Sequence, residues 1–517
     1  MSVLRGMARN IFSNWAVLII NIVISFFLAP YVVNKLGNVY YGIWTVVMQF
    51  TGYLYLMDFG VRESVVRYTS KFNATGSKKL LNQILSTGLV MYSAVAIACM
   101  LIALLGAVLF PYVFATPEEF SAEIRLVVLL VGATIAQTFL FNVFNGILMG
   151  VHRFDLGNIV NVLVSFVRLG LVLWVLSSGH KIVALASVQL LVGVITGICM
   201  MILAKKELDK LGLAFKFVIK GKKRFLAHAR RLFNYSKYVF VINIGQKIIF
   251  TTDAILIGLF MPIASVTFYA IAGNLIEYLR NLISATASVL NPLTSHFSAK
   301  GEEHKVRELL VNGGRLSLFI GLPVAVVYMV LGQKFIELWM GGQYAETSGE
   351  VLFVLALTMA LAFPHHTMCM ILYGLSKHSV LAFWKVIEAL FNIVLSIVLL
   401  NYYGLLGVAL GTALTHVVVA LLILPRIVCK EIQLPLASYW FRVYWRPFVV
   451  TIPLVLVALW IQQNLQIDSL WLFFIYVAVL CSFYVGLAFF IVLLPEERQK
   501  VVAKLRGVQK NRTTSET

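Results

Sequence analysis

The sequence predicts an all-α polytopic membrane protein of about 14 transmembrane helices: two six-helix lobes related by a parallel internal repeat, plus two C-terminal helices. Three observations predict it. The 517 residues are 60% hydrophobic and only 12% charged, with a mean hydropathy of +0.90. Soluble domains are about 45–50% apolar and about 25% charged. Apolar stretches of spanning length, about 20 residues, recur along the whole chain. The chain also repeats itself at an offset of about 224–228 residues.

Taken in order, the first six apolar segments run over 11–33, 39–60, 82–109, 124–149, 157–177 and 182–203. Six more follow at 237–260, 265–292, 313–332, 350–373, 379–400 and 405–425, and a final pair at 446–463 and 469–494. The expected organisation is a lobe over 1–203, a basic linker over 204–236, a second lobe over 237–425, two extra helices over 426–494 and a tail over 495–517. Met1 to Asn10 is short and basic and leads into an apolar run long enough to span, so no cleavable signal is expected.

The repeat is read from short matches. Tyr41-Gly42-Ile43 aligns with Tyr269-Ala270-Ile271, and Phe72-Asn73-Ala74-Thr75-Gly76 with Phe297-Ser298-Ala299-Lys300-Gly301. Gly150-Val151-His152-Arg153 aligns with Gly374-Leu375-Ser376-Lys377, and Val183-Ala184-Leu185 with Gly407-Val408-Ala409. Six segments per half is an even number, so both halves have one orientation, and a substrate site between them is expected.

Charge sets the orientation. About 33 of the 42 basic residues fall on one set of alternate loops, which the positive-inside rule assigns to the cytoplasm. Both termini then face the cytoplasm. The same rule accounts for the net charge of +20 without nucleic acid. The linker interleaves Lys220, Lys222, Lys223 and Arg224 with Phe225, Leu226, Leu232, Phe233 and Tyr235. It reads either as a plain cytoplasmic connection or as an interfacial helix on anionic headgroups.

Several segments carry one polar face. Asn158, Asn161, Ser165 and Arg168 share an arc of about 80°, as do Lys385, Glu388, Asn392 and Ser396. Asn243, Gln246, Lys247 and Asp253 form a wider stripe, and Asn274, Glu277, Arg280, Asn281, Ser284, Ser288 and Asn291 another. Charge inside an apolar segment is costly unless it meets protein or water, so these residues are functional candidates. Glu277 with Arg280, and Lys385 with Glu388, also read as pairs that merely neutralise each other. In the repeat Glu277 falls on Gln49 and Arg280 on Gly52, so most intramembrane charge lies in the second half. Asp58, Arg62, Glu63 and Arg67 end the second segment, as headgroup-level charge or as a cytoplasmic gate. His365, His366 and His416 read as polar packing or as a proton relay. Prolines 30, 323, 364 and 453 mark kinks.

The five cysteines form no CxxC pair. No GxxxxGK[ST] phosphate loop, HExxH motif, metal-spaced His/Cys cluster or nucleophile elbow occurs in the sequence. Enzymatic catalysis, a metal and a cofactor are therefore not expected.

Leu36-Gly37-Asn38-Val39-Tyr40-Tyr41-Gly42-Ile43, followed by Tyr53-Leu54-Tyr55-Leu56-Met57-Asp58-Phe59-Gly60, resembles the start of polysaccharide transporters. These are the Wzx-type O-antigen and capsule flippases of the multidrug/oligosaccharidyl-lipid/polysaccharide (MOP) exporter superfamily. The turn has the family's Leu-Gly-x-x-x-Tyr-Gly spacing, with Tyr40 as the third variable residue. Gly150/Arg153 and Gly374/Lys377 also fit a Gly-x-x-Arg/Lys pattern. The resemblance covers nearly the whole chain.

It implies two lobes rocking around a cationic cavity. It also implies translocation of an undecaprenyl-pyrophosphate-linked oligosaccharide across the bacterial cytoplasmic (inner) membrane for O-antigen, capsule or exopolysaccharide synthesis. The implied partners are the polyprenyl-pyrophosphate-linked glycan, the lipid bilayer, and a polysaccharide polymerase with its chain-length machinery. A pyrophosphate needs cations in a wet cavity. Arg280, Lys247, Lys385 and Arg168 are the candidates, with Glu277, Asn281, Asn161, Asn392 and Gln49 on the same faces. Asp253, Glu277 and Glu388 are candidates for coupling to an ion, and Asp58, Arg62 and Arg67 for the cytoplasmic gate. A peptidoglycan-precursor flippase or a cation-coupled multidrug exporter of the same superfamily is the alternative. A membrane glycan ligase or polymerase fits less well, because the outward loops are short.

Overall fold

The first two expected segments join at Gly37. In a computed structural model, Ser2–Gly52 forms one continuous helix, α1, broken only where Gly37 adopts φ 76°. Only glycine takes that conformation without a Cβ clash. The structure describes residues 2–491 except 76, 115, 117 and most of 214–236. Side chains are further left undescribed at 2–16, 63, 73–74 and 237–240. The Lys220 to Tyr235 stretch and the 495–517 tail therefore lie outside the described residues, apart from single positions.

Among the described residues every regular element is helical. After α1, a 3-10 turn over Tyr53–Asp58 leads to α2 (Val61–Thr75). Phe59 and Gly60 both take positive φ there, so the Asp-Phe-Gly motif is the point where the spanning helix stops. Then come α3 (Lys78–Val113), α4 (Ser121–Gly150), α5 (Phe154–Ser177) and α6 (Ile182–Lys210). The next set is α7 (Lys237–Phe260), α8 (Ser265–Ala287), α9 (Leu290–Ala299) and α10 (Glu303–Met340). The chain continues with α11 (Gly342–Ala362), α12 (Pro364–Gly374) and α13 (His378–Val418), the last broken at Gly404. A π-turn at Val419–Ile423 precedes α14 (Leu424–Glu431), α15 (Leu436–Asn464) and α16 (Leu470–Ile491).

Among the described residues eleven helices are long and apolar enough to cross a membrane, so this is a multi-pass membrane protein. Two of the eleven, Val17–Asp58 and His378–Glu431, each hold two expected segments joined at Gly37 and Gly404. The remaining expected segment is α8, which has spanning length but is diluted by its polar face. The structure corrects the boundaries. The stretch 265–292 is not one helix, because the chain turns at Ser288 and Val289 before α9. The stretch 350–373 is likewise divided at Phe363, with Pro364 starting α12.

The repeat is visible in local geometry. A Cβ on Gly150 would meet Thr69 Cβ at 2.6 Å and the Val66 carbonyl at 2.8 Å; one on Gly374 would meet Thr294 Cβ at 2.5 Å and the Asn291 carbonyl at 2.8 Å. Thus α2 lies on α4 as α9 lies on α12, and each contact requires glycine. His152 and Ser376 then take φ 61° and 59°. Arg153 N donates to the Leu148 carbonyl at 2.8 Å, and Lys377 N to that of Leu372 at 2.9 Å.

The chain forms two compact units, Met1–Ile271 with His378–Thr412, and Ala272–Lys377 with Ala413–Thr517. The units do not follow the two sequence halves, because α7 and the first part of α13 pack with the N-terminal helices. In the first unit, Gly42 lies against the Ile263 carbonyl, Gly245 against Lys385, and Gly258 against Val46 and Phe114. In the second, Gly321 lies against Phe363 and Gly314 against Val443. Small residues let these backbones approach where water does not drive association.

Candidate functional site in the intramembrane polar faces

In the first unit, Lys247 on α7 extends toward α1. A Cβ on Gly52 would lie 3.1 Å from its Nζ. Gly52 is the repeat counterpart of Arg280, so the space beside one half's glycine is filled by a lysine from another helix. Gln49, one turn earlier, is half-buried. Tyr53 follows, its hydroxyl 2.6 Å from the Thr252 hydroxyl.

Asp253 is buried. Its carboxylate accepts from the Tyr269 hydroxyl, and from the Thr412 hydroxyl at 3.0 Å. Asn392 Nδ2 donates to the Thr412 oxygen at 2.9 Å. Thr412 and Tyr269 were not singled out in the sequence for this role. A threonine after a GxxxG step gives no charge signal, and Tyr269 served only as a repeat marker.

Lys385 and Glu388 are each 1% exposed, and the lysine Nζ donates to Glu388 Oε2 at 2.8 Å. The neutralised-pair reading fits this arrangement, because a buried ammonium bonded to a carboxylate offers no accessible cation in this conformation. Arg168 differs. It is half-buried on α5, and its Nε is buried without a hydrogen-bond partner among the described residues. Asn161 lies on the same face, its carbonyl accepting from Ser165, whose hydroxyl is also 2.7 Å from Asn21 Oδ1.

In the second unit, Arg280 and Glu277 form an ion pair at 3.6 Å, with the Arg280 side chain 19% and that of Glu277 53% exposed. This pair is longer and wetter than Lys385–Glu388. Asn281 is half-buried beside it. One turn on, the Ser284 hydroxyl is 3.0 Å from His366 Nδ1. The His365 and His416 rings lie 4.8 Å apart, and Cys369 Sγ is 3.4 Å from His365 Nε2. Among the described residues no His/Cys/Asp/Glu group suits a metal ion.

The gate candidates sit at the α1–α2 junction. Asp58 accepts from the Tyr92 hydroxyl, while Arg62 is half-buried and Arg67 exposed on α2. After α4, Arg153 bonds Asp155 at 3.0 Å and Glu207 at 2.9 Å. The hydrogen bond that Arg153 donates to Asp155, aided by Glu207, raises the Arg153 pKa above its ordinary value. Lys377 pairs with Glu431 at 2.8 Å. Glu207 and Glu431 are again 224 residues apart. Sequence reading found the two cations but not these carboxylates, which are each 54 residues downstream.

Residues 7–298 match the family described as polysaccharide biosynthesis protein. The chain belongs to that family. Residues 239–398 also match the MatE family. Over the whole length, the sequence is 22% identical to the uncharacterized membrane protein EpsK of Bacillus subtilis, covering 96% of this chain and 97% of that one. It is 24% identical to the putative O-antigen transporter of Shigella flexneri, over 82% and 97%. A probable low-salt glycan biosynthesis flippase of Haloferax volcanii is 28% identical, but over only 38% of this chain and 42% of that protein. Among solved structures, the lipid II flippase MurJ in an inward closed conformation superposes with a TM-score of 0.70 at 15% identity, covering 92% and 97%. An inward-facing MATE transporter of the MOP superfamily gives 0.63 at 14% identity, over 80% and 93%. The fold of this family member is therefore shared with these two transporters.

Proposed function

We propose that the protein is a flippase that moves an undecaprenyl-pyrophosphate-linked oligosaccharide from the cytoplasmic to the outer leaflet for surface polysaccharide synthesis. The observation that carries this reading is the family match over residues 7–298. The relatives named as a glycan flippase and an O-antigen transporter support it. The side-chain chemistry agrees. Arg168, Lys247 and Arg280 supply cations within apolar helices, and a pyrophosphate is bound by such groups through charge-assisted hydrogen bonds. Asn161, Asn281, Asn392 and Gln49 suit sugar hydroxyls. Asp253, hydrogen-bonded by Tyr269 and Thr412, is the coupling-ion candidate with the most built surroundings. Glu277 and Glu388, each tied to a cation, are the lesser ones.

In this reading the halves 1–203 and 237–425 are the rocking lobes, joined by 204–236 and followed by two accessory helices over 426–494. Both termini face the cytoplasm of the bacterial inner membrane, and a polymerase and chain-length machinery act on the delivered glycan. The test is deletion of the gene followed by analysis of lipid extracts. The expected result is an undecaprenyl-linked glycan accumulating on the cytoplasmic face. Unchanged glycans with lost drug resistance would instead favour a multidrug exporter, the reading that the MatE match supports. Accumulated peptidoglycan precursor would favour a lipid II flippase, whose fold is similar.

A further inference from the structure

A cleft of about 730 Å³ opens between α5 and α6 in the first unit, at the ends of these helices remote from Arg153. That volume lies within the range of about 300–1,000 Å³ typical of ligand sites. The walls are apolar and run along both helices: Leu171 and Val175 on α5 face Val188 and Leu191 on α6. The mouth is polar, with Ser178, Lys181 and Glu123.

Besides His180, the mouth holds Lys181 and Glu123, which approach a single tyrosine. Lys181 Nζ donates to the Tyr40 hydroxyl at 3.3 Å and lies 4.7 Å from the ring centre. Glu123 lies beside the same hydroxyl. Phe120 braces the Tyr40 ring edge-on at 5.0 Å. One carboxylate oxygen of Glu123 is buried and has no hydrogen-bond partner among the described residues. A buried acceptor of this kind is costly unless a donor reaches it.

We propose that this cleft binds a phospholipid with a primary ammonium headgroup, of the phosphatidylethanolamine class. Its chains lie in the groove between α5 and α6. Its phosphodiester meets Lys181, and its ammonium meets the Glu123 carboxylate where that side chain lines the cleft. The charge pattern decides among lipids. A choline headgroup has the positive charge but no N–H to donate. A glycerol headgroup has hydroxyl donors but leaves the Glu123 charge unbalanced.

The test is native mass spectrometry of the delipidated full chain with equal amounts of phosphatidylethanolamine, phosphatidylcholine and phosphatidylglycerol of identical chains. Phosphatidylethanolamine is expected to be retained about tenfold over the other two, the discrimination of one charge-assisted hydrogen bond. Glu123→Gln should bring phosphatidylethanolamine to parity with phosphatidylcholine. Lys181→Gln should weaken both while keeping their ratio. Ala184→Trp, which fills the groove, should release all three, whereas Leu163→Trp outside it should release none. Equal retention by the wild type, or an undiminished preference in Glu123→Gln, overturns the proposal. If Glu123→Gln does not fold, a changed ratio in Lys181→Gln overturns it equally. Retention is read without any transport step, so the outcome is independent of the proposed flippase activity.

Discussion

The turn after α4 and the turn after α12 are built alike, while the helices around them carry different charge. Each turn has a glycine pressed on a threonine, then a left-handed residue, then a cation paired with a glutamate from a later helix end. Yet Asn161 of the first half corresponds to Lys385 of the second, and Gly52 to Arg280. Steric demands of helix packing are the same in both halves, so the same solution recurs. Intramembrane charge is not needed to pack helices, so it is free to differ. The difference locates what is particular to this protein in the unequal positions, and what is generic scaffold in the equal ones.

The buried pair gives the largest expected effect. Glu388→Ala leaves the Lys385 ammonium buried without its carboxylate, and breaking such a pair costs about 3–5 kcal/mol. Asn161→Ala, at the position corresponding to Lys385 in the first half, should barely lower the thermal midpoint of the purified protein. The double variant Lys385→Met/Glu388→Leu should recover most of the lost stability. Glycan transport by that stable double variant would make the pair scaffold; loss of transport would make it part of the substrate or coupling apparatus.

Glycine substitutions come next and should be symmetric. Gly150→Ala and Gly374→Ala each drive a methyl to within 2.8 Å of a backbone oxygen. Overpacking of this kind costs about 1–3 kcal/mol. Similar falls in thermal midpoint for the two variants are expected. A loss confined to one would break the equivalence of the two contacts.

The salt bridges should be weaker and unequal. Arg153–Glu207 is the drier pair, with side chains 32% and 11% exposed, against 45% and 30% for Lys377–Glu431. Partly exposed pairs contribute about 0.2–1 kcal/mol. Glu207→Gln is expected to cost more than Glu431→Gln, and high salt should shrink both losses. Equal losses insensitive to salt would show that the glutamates act through packing.

These contrasts also explain what was legible in the sequence. Segment positions were readable because spanning helices need long apolar runs, and the repeat was readable because glycine contacts leave short fixed motifs. Helix ends were less legible: the break at Ser288–Val289 lies one turn before Pro292, whose ring and missing N–H bar the helical bond to the Ser288 carbonyl without fixing which residue turns. The polar faces were readable as stripes, but their pairing was not. Nothing in the spacing tells that Lys385 is buried against Glu388 while Arg280 keeps a partly exposed Glu277. Thr412 and Tyr269 around Asp253, and the partners Glu207 and Glu431, come from distant segments that only the fold brings together.

The smallest effect tests the turns themselves. His152 and Ser376 hold φ 61° and 59°, a region that disfavours residues with a Cβ. Glycine there relieves that penalty but adds freedom to the unfolded chain, so the net gain should be under about 1 kcal/mol. His152→Gly and Ser376→Gly should therefore both raise the thermal midpoint slightly, and by similar amounts. A fall for His152→Gly alone would mean that the imidazole makes a contact Ser376 does not, and the two turns would share their backbone without sharing their role. Equal small gains would leave the cation beyond each turn as the place where the halves first diverge.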